Sequence, residues 1–165
     1  MSFKETYARY YPELVRYGRR LNINRDDLED LVQETFIKYH IELERKTVFE
    51  NTRAWLYKVM LNLLKTRNNK KSLHKSKIEH YSLTEVDRKT IDDYDKNERR
   101  ELVFQVLRRI PEKERNLLIL YNQGLKYREI AEVLKMNPKI VGTYLVRAIN
   151  KLKDILMKDY HELFG

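Results

Sequence analysis

Cysteine is absent from the 165 residues. That excludes disulfides, thiolate metal sites and cysteine nucleophiles, and it suits a reducing compartment. Glycine occurs four times and proline three times, and no period-two alternation of apolar and polar residues runs for long, so the chain reads as all-α. No glycine-rich loop is available to cradle a phosphate. No apolar run approaches the ~18 residues of a membrane span. The opening MSFKETYARYYPEL lacks the apolar stretch of a signal peptide, and a cytoplasmic location is expected. His40, His74, His80 and His161 are scattered, and no two of them stand at i,i+4. Asp26, Asp27 and Asp30 could hint at a metal, but acids at a helix start explain them better. Neither a metal site, a cofactor nor an enzymatic centre is expected.

What the chain does have is charge and apolar mass. Hydrophobic residues make up 42%, enough for real cores and too many for a disordered chain. Lys and Arg number 34 against 25 acids, a net charge of +9, which favours a polyanionic partner such as nucleic acid. Residues 98–165 hold 14 of the basic residues and 9 of the acids, and therefore most of the excess. The length suits one medium domain or two small ones.

Residues 2–22 carry Phe3, Tyr7, Tyr10, Tyr11, Leu14, Val15 and Leu21, with Pro12 expected to divide them into two helical pieces. In NRDDLEDLVQETFIKYHIEL, Asn24 can cap and Asp26 and Asp27 sit in the first turn. Leu28, Leu31, Val32, Thr35, Phe36 and Tyr39 then form one buried face. RKTVFENT reads as a loop whose Asn51 or Thr52 caps the helix RAWLYKVMLNLLKTR. There Trp55, Leu56, Val59, Met60, Leu63 and Leu64 are expected inward, and Lys58, Asn62 and Lys65 share another face. Trp55 suits the core better than a stacking platform. Residues 1–67 are thus expected as one helical bundle. Residues 68–97 lack a sustained amphipathic period, begin basic and end acidic, and read as a linker. Residues 98–165 return to helices, with Leu102, Val106, Leu107 and Ile110 on one side, Pro111 as punctuation and Gly124 closing the next helix.

Residues 130–145, IAEVLKMNPKIVGTYL, form a helix, a three-residue corner and a second helix. Ile130, Val133 and Leu134 face inward, and Ala131 is small where helices cross. Asn137 is a good N-cap and Pro138 suits the first helical position. Val141, Leu145, Ala148 and Leu152 continue the buried stripe. This spacing fits a helix-turn-helix, and taken alone also an ordinary helical hairpin. The local basic excess and the exposed Lys139, Gly142, Thr143 and Arg147 favour DNA binding. The corner calls for a left-handed residue, and Lys135 occupies that position in place of glycine.

Taken in order, DLEDLVQETFIKY, RAWLYKVMLNLLKTR, a linker and IPEKERNLLILYNQGLKYREIAEVLKMNPKIVGTYLVRAINKL resemble bacterial RNA polymerase sigma factors of the extracytoplasmic-function (ECF) class. The resemblance implies that Asp30, Gln33, Glu34 and Ile37 dock on the clamp helices of the largest polymerase subunit. Without it, Asp30, Gln33 and Glu34 would read as a solvated helix face. It implies that Asn51, Thr52, Arg53, Lys58, Asn62, Lys65 and Arg67 contact the −10 promoter strand, where basic groups and a base pocket suit single-stranded DNA. It implies that Arg115, Tyr127, Arg128, Asn137, Lys139, Gly142, Thr143, Tyr144 and Arg147 contact the −35 element, while the same unit docks on the polymerase β flap. An anti-sigma factor is a common partner in that family. The chain departs from the pattern at Thr66, where Asp is common, and in IVGTYLVRA, where TVKSRLxRA is common: Gly142 replaces a Lys and Tyr144 an Arg. A linker of 30 residues spans about 30 Å as a coil, short of the roughly 70 Å between promoter elements two duplex turns apart, so it is expected to be extended when bound. A stand-alone two-domain DNA-binding regulator is the other expectation.

Overall fold

The computed structural model describes residues 1–73 and 91–159, with side chains for 1–71 and 98–159. Among the described residues there are seven helices and no strand: α1 (Phe3–Arg20), α2 (Arg25–Glu44), α3 (Thr52–Leu73), α4 (Ile91–Arg108), α5 (Glu112–Asn122), α6 (Tyr127–Leu134) and α7 (Pro138–Asp159). None is long and apolar enough to cross a membrane.

Local chemistry sets most of the boundaries. Ser2 and Glu5 form a reciprocal capping box at the start of α1, with bonds of 3.2 and 2.9 Å, which satisfies two otherwise orphaned N–H groups. The Asn24 side chain accepts the Asp27 N–H at 2.9 Å, and Asn51, rather than Thr52, caps α3 by accepting the Ala54 N–H at 2.9 Å. Gly124 follows the end of α5 at φ +86°. Lys135 adopts φ 55°, ψ 51° after α6, and the Asn137 side chain accepts the Lys139 N–H at 3.0 Å to start α7.

Two expectations are corrected. Pro12 does not divide the first segment, because α1 runs unbroken from Phe3 to Arg20. Pro12 and Ala8, the residue whose carbonyl loses its N–H partner, are both exposed, so water can take that carbonyl. Thr6, Tyr10, Leu14 and Tyr17, buried on the other side, favour one continuous helix. The linker is also shorter than its composition indicated. α3 continues to Leu73 and α4 begins at Ile91, while the middle of the linker, 74–90, lies outside the described residues. The basic end NNKK continues α3, where Lys70 and Lys71 sit in the last turn and Lys71 pairs with Asp27 at 3.1 Å. The acids of IDDYDKN begin α4. Lys70 and Lys71 complement the C-terminal end of the α3 dipole.

The six residues expected on the inner face of α2 are all buried. Leu28, Leu31, Val32, Phe36 and Tyr39 meet Tyr10, Leu14 and Tyr17 of α1 and Leu56, Tyr57 and Met60 of α3 in one apolar cluster. Close approach of α1 and α2 requires Gly18, where a Cβ would stand 2.0 Å from Leu28 Cδ1. α5, α6 and α7 close around Leu117, Leu120, Ile130, Val141 and Leu145. α3 also packs directly against α6, and α1 against α5, so the apolar cluster runs without a break through both halves. That second covering explains why Ala54, Tyr57 and Leu61 are buried while Val59, Leu63 and Leu64, expected inward, are only half-buried.

Tyr17 is fully buried and its hydroxyl has no hydrogen-bond partner; burial pushes its ionisation well above the usual range. An unpaired buried hydroxyl is a cost that its removal relieves. Tyr17→Phe should therefore leave stability unchanged or raise it by up to about 1 kcal/mol, read as the midpoint of thermal unfolding by circular dichroism. A clear fall in the midpoint would mean that the hydroxyl is satisfied.

Candidate nucleic-acid and partner surfaces

The outer face of α2 presents Asp30, Gln33 and Ile37 to solvent, with Ile37 60% exposed. Gln33 and Ile37 border an apolar hollow of about 410 Å³, walled also by Phe3, Tyr7, Phe36, His40 and Ile41. Its aromatic lip is preassembled: Tyr7 and Phe36 lie 4.8 Å apart and Phe3 and His40 5.2 Å. Sequence reasoning did not include Phe3, Tyr7, His40 or Ile41 in this surface. The available signal was the aromatic spacing of α1, legible only with α2 beside it. Glu34 is not as free as its position off the apolar stripe indicated. Its carboxylate accepts from Arg67 at 2.7 Å, and Arg67 also donates to the Asp27 carbonyl at 3.4 Å. Two residues expected on separate surfaces are thus bonded to each other.

Along α3, Lys58 and Asn62 are half-buried and Lys65 exposed. Lys65 lines a cleft of about 250 Å³ with Arg20, Phe104, Arg108 and Arg115. The expected Arg115 therefore lines a cleft shared with α3. In the loop before α3, Phe49 packs edge-on against Trp55 at 5.1 Å and near Tyr39 at 5.2 Å. Trp55 is partly buried against the core, and Val48 at the loop tip is 90% exposed.

Among the described residues, the first turn of α3 carries a dense cluster of hydrogen bonds. Arg53 Nε and Nη2 donate to the two oxygens of Glu13 at 2.8 and 3.0 Å. Its Nη1 donates to Glu129 at 3.4 Å, and Nη2 and Nη1 donate to the carbonyls of Gln123 and Gly124 at 3.2 and 3.4 Å. Burial works against the charged guanidinium, but the Glu13 hydrogen bond and the charges of Glu13 and Glu129 outweigh it and hold the ionisation above its ordinary value. Asn51 donates to the other Glu129 oxygen at 3.3 Å, and Glu129 also accepts the Lys126 N–H at 2.9 Å. Gln123 donates to the Glu13 carbonyl at 3.1 Å and to the Tyr57 hydroxyl at 3.0 Å, and accepts from Arg20. Glu13, Gln123 and Glu129 gave no signal as members of a site. Nothing in their spacing announces that residues 13, 53, 123 and 129 meet.

The corner between α6 and α7 forms as expected. Arg128, Asn137, Lys139, Thr143 and Arg147 are exposed, as is Tyr127 at 46%. Tyr127 places its ring against Gly142, where a Cβ would approach to 3.3 Å. The smallness of Gly142 therefore serves the packing of α6 on α7. Tyr144 lies between two cations, Lys113 Nζ at 4.8 Å and the Arg147 guanidinium at 5.4 Å from its ring centre, an arrangement that orients Arg147 without burying it. Lys151 and Glu114 join α7 to α5 at 2.7 Å. No group of three or more His, Cys, Asp or Glu residues among those described could hold a metal ion.

A helix-turn-helix joined to a helical unit that bears a mixed apolar and polar face on α2 defines a two-part, all-α DNA-binding protein. Residues 6–73 match sigma-70 region 2 and residues 100–152 match sigma-70 region 4. The chain is similar to the RNA polymerase sigma factor YlaC of Bacillus subtilis (29% identity, covering 98% of this chain and 95% of the relative). It is also similar to the ECF RNA polymerase sigma factor EcfG of Rhodopseudomonas palustris (24%, covering 99% and 90%). Among solved structures it matches CnrH in complex with the cytosolic domain of CnrY, with a TM-score of 0.70 at 25% identity over 95% of this chain and 88% of that one. The sigma factor RpoE of Bartonella quintana, in complex with the anti-sigma factor NepR, shares the fold with a TM-score of 0.68 at 22% identity over 95% and 98%. The chain belongs to the sigma-70 family, in its extracytoplasmic-function class. It is a sigma factor that directs RNA polymerase to promoters, and the reading as a stand-alone regulator is not favoured.

The left-handed Lys135 gives a test of the corner. A non-glycine residue in this conformation costs about 1 kcal/mol. Lys135→Gly should raise stability by up to about 1 kcal/mol, measured by urea unfolding, because it relieves that strain and keeps the corner. A loss of stability would mean that the Lys135 side chain contributes more than its backbone costs.

Proposed function

We propose that the outer face of α2, with Asp30, Gln33 and Ile37 beside the apolar hollow, docks on core RNA polymerase. The supporting observation is the joint exposure of a carboxylate, an amide and a large aliphatic residue around a preassembled aromatic lip. An apolar centre with a polar rim suits a protein interface. Glu34 takes part through its bond to Arg67, so polymerase contact at Glu34 would free Arg67 for a DNA phosphate. Asn51, Thr52, Arg53, Lys58, Asn62, Lys65 and Arg67 are assigned to the −10 strand and assist its melting. The exposed face of α7 reads the −35 element, with Lys139 and Thr143 at base edges and Arg147 on the backbone. Arg128, Asn137 and Tyr144 support that face, Tyr127 and Gly142 shape it, and Arg115 joins when the cleft toward α3 opens. The protein acts in the cytoplasm as an initiation factor and not as a catalyst. The anti-sigma factor in the RpoE complex supports a partner of that kind here.

Two experiments test these surfaces. Asp30→Lys combined with Ile37→Glu should abolish co-purification with core polymerase while helicity is kept; undiminished binding by the folded double variant would remove α2 from the interface. On α7, Arg147→Ala should weaken binding to all promoters about equally and lower the salt dependence by about one charge. Lys139→Ala should instead cost ~1–3 kcal/mol on the preferred −35 sequence and little on a scrambled one. The reverse pattern in promoter-binding assays of the holoenzyme would mean a different docking of the helix.

A further inference from the structure

We propose that the cleft lined by α1, α3, α4 and α5 binds a di- or triphosphate group, free or carried on a nucleoside. The cleft has a volume of about 250 Å³ and gathers four cations, Arg20, Lys65, Arg108 and Arg115, around one carboxylate, Glu112. Lys65, Arg108 and Arg115 form no ion pair or side-chain hydrogen bond among the described residues. The Arg20 guanidinium donates to the side-chain oxygen of Gln123 from one nitrogen, which leaves its other N–H groups for a ligand. Like charges facing one hollow repel, and an anion between them relieves the repulsion. Leu61, Leu64 and Leu107 line the same cleft, and apolar walls strengthen the attraction by keeping the local dielectric low.

Asn116 is a second observation, independent of charge. It is 6% exposed and lines the cleft, and its carboxamide has no hydrogen-bond partner among the described residues. A buried amide without a partner costs stability. A phosphoryl oxygen in the cleft accepts from that amide, and the guanidinium groups of Arg108 and Arg115 offer it paired N–H donors. The start of α5 adds to this. Glu112 begins the helix, and Pro111 before it supplies no side-chain cap, so the first N–H groups of α5 are left for water or an anion. The charge selects the ligand. Four cations less one acid leave an excess of three, and a single phosphate carries at most about two negative charges at neutral pH. Two or three linked phosphates match the excess. Arg108 and Asn116 belong to neither proposed DNA surface, so the site stands or falls apart from those assignments.

Isothermal titration of the full chain with sodium tripolyphosphate, at constant ionic strength, tests the site. One ligand should bind per chain, about tenfold or more tightly than orthophosphate, and raise the midpoint of thermal unfolding. Arg108→Ala and Asn116→Leu should each weaken binding about tenfold. Glu112→Gln removes the one acid and should tighten it severalfold. Lys38→Ala removes an exposed cation of α2 outside the cleft and should change nothing. Adenosine and guanosine triphosphates identify the source of the ligand. Affinity equal to that of tripolyphosphate assigns the site to the phosphate chain alone. Tighter binding that Phe104→Ala returns to that level assigns it to a nucleotide, with the base on the Phe104 ring at the cleft wall. Absence of tripolyphosphate binding would overturn the proposal, as would equal weakening by Arg108→Ala and Lys38→Ala, or unchanged binding by folded Asn116→Leu. If Asn116→Leu loses helicity, Arg108→Ala and Glu112→Gln decide the matter, since both residues are exposed. Loss of random-sequence DNA binding in Arg108→Ala, with no tripolyphosphate binding by the unaltered chain, would give these cations to DNA instead.

Discussion

The half-buried guanidinium of Arg53 is the interaction on which the arrangement of this chain depends. Arginine keeps its charge in any environment a protein provides, so folding has to surround it with oxygen. Here the oxygens come from three distant parts of the sequence: Glu13 in α1, Glu129 in α6, and the carbonyls of Gln123 and Gly124 between α5 and α6. The turn that delivers those carbonyls requires a positive φ, and glycine supplies it at position 124. Remove the geometry of that turn and Arg53 loses two of its acceptors.

α3 packs against both halves of the molecule. One side packs on α2 and another on α6. Its first turn carries the Arg53 cluster, and its later turns reach back to α2 through Arg67 and Glu34. A helix covered on two sides cannot present a simple amphipathic stripe. That is why Tyr57 and Leu61 are buried while Leu63 and Leu64 remain half-exposed. The same double contact gives α3 its place in function. The surface assigned to the −10 strand adjoins the polymerase-docking face on one side and the −35 unit on the other, so occupation of either neighbour bears on what α3 can bind.

Much of this was legible before any coordinates. Asn24 and Asn137 cap as their positions indicated, Lys135 is left-handed, and the inner face of α2 is buried residue for residue. These are local features, decided within a few residues by hydrogen bonding, steric limits and periodicity. The misreadings came where distant packing overrules local preference. Pro12 stays within a helix because Tyr10, Leu14 and Tyr17 are buried on one side while the carbonyl it strands faces water. Glu34 read as free because its partner lies 33 residues away. The continuation of α3 to Leu73 was recoverable, since Lys70 and Lys71 match the end of a helix dipole, but the weak amphipathic period concealed it.

By itself, the sequence determined the all-helical class, the helix-turn-helix corner and the family motifs, because caps, turn residues and apolar spacing act over one or two helical turns. The tertiary structure alone decided that Glu13, Arg53, Gln123 and Glu129 form one bonded cluster, and that the proposed −10 and −35 surfaces begin side by side. No periodicity encodes that meeting. It arises because a half-buried cation must find acceptors wherever the packed helices bring them within hydrogen-bond reach.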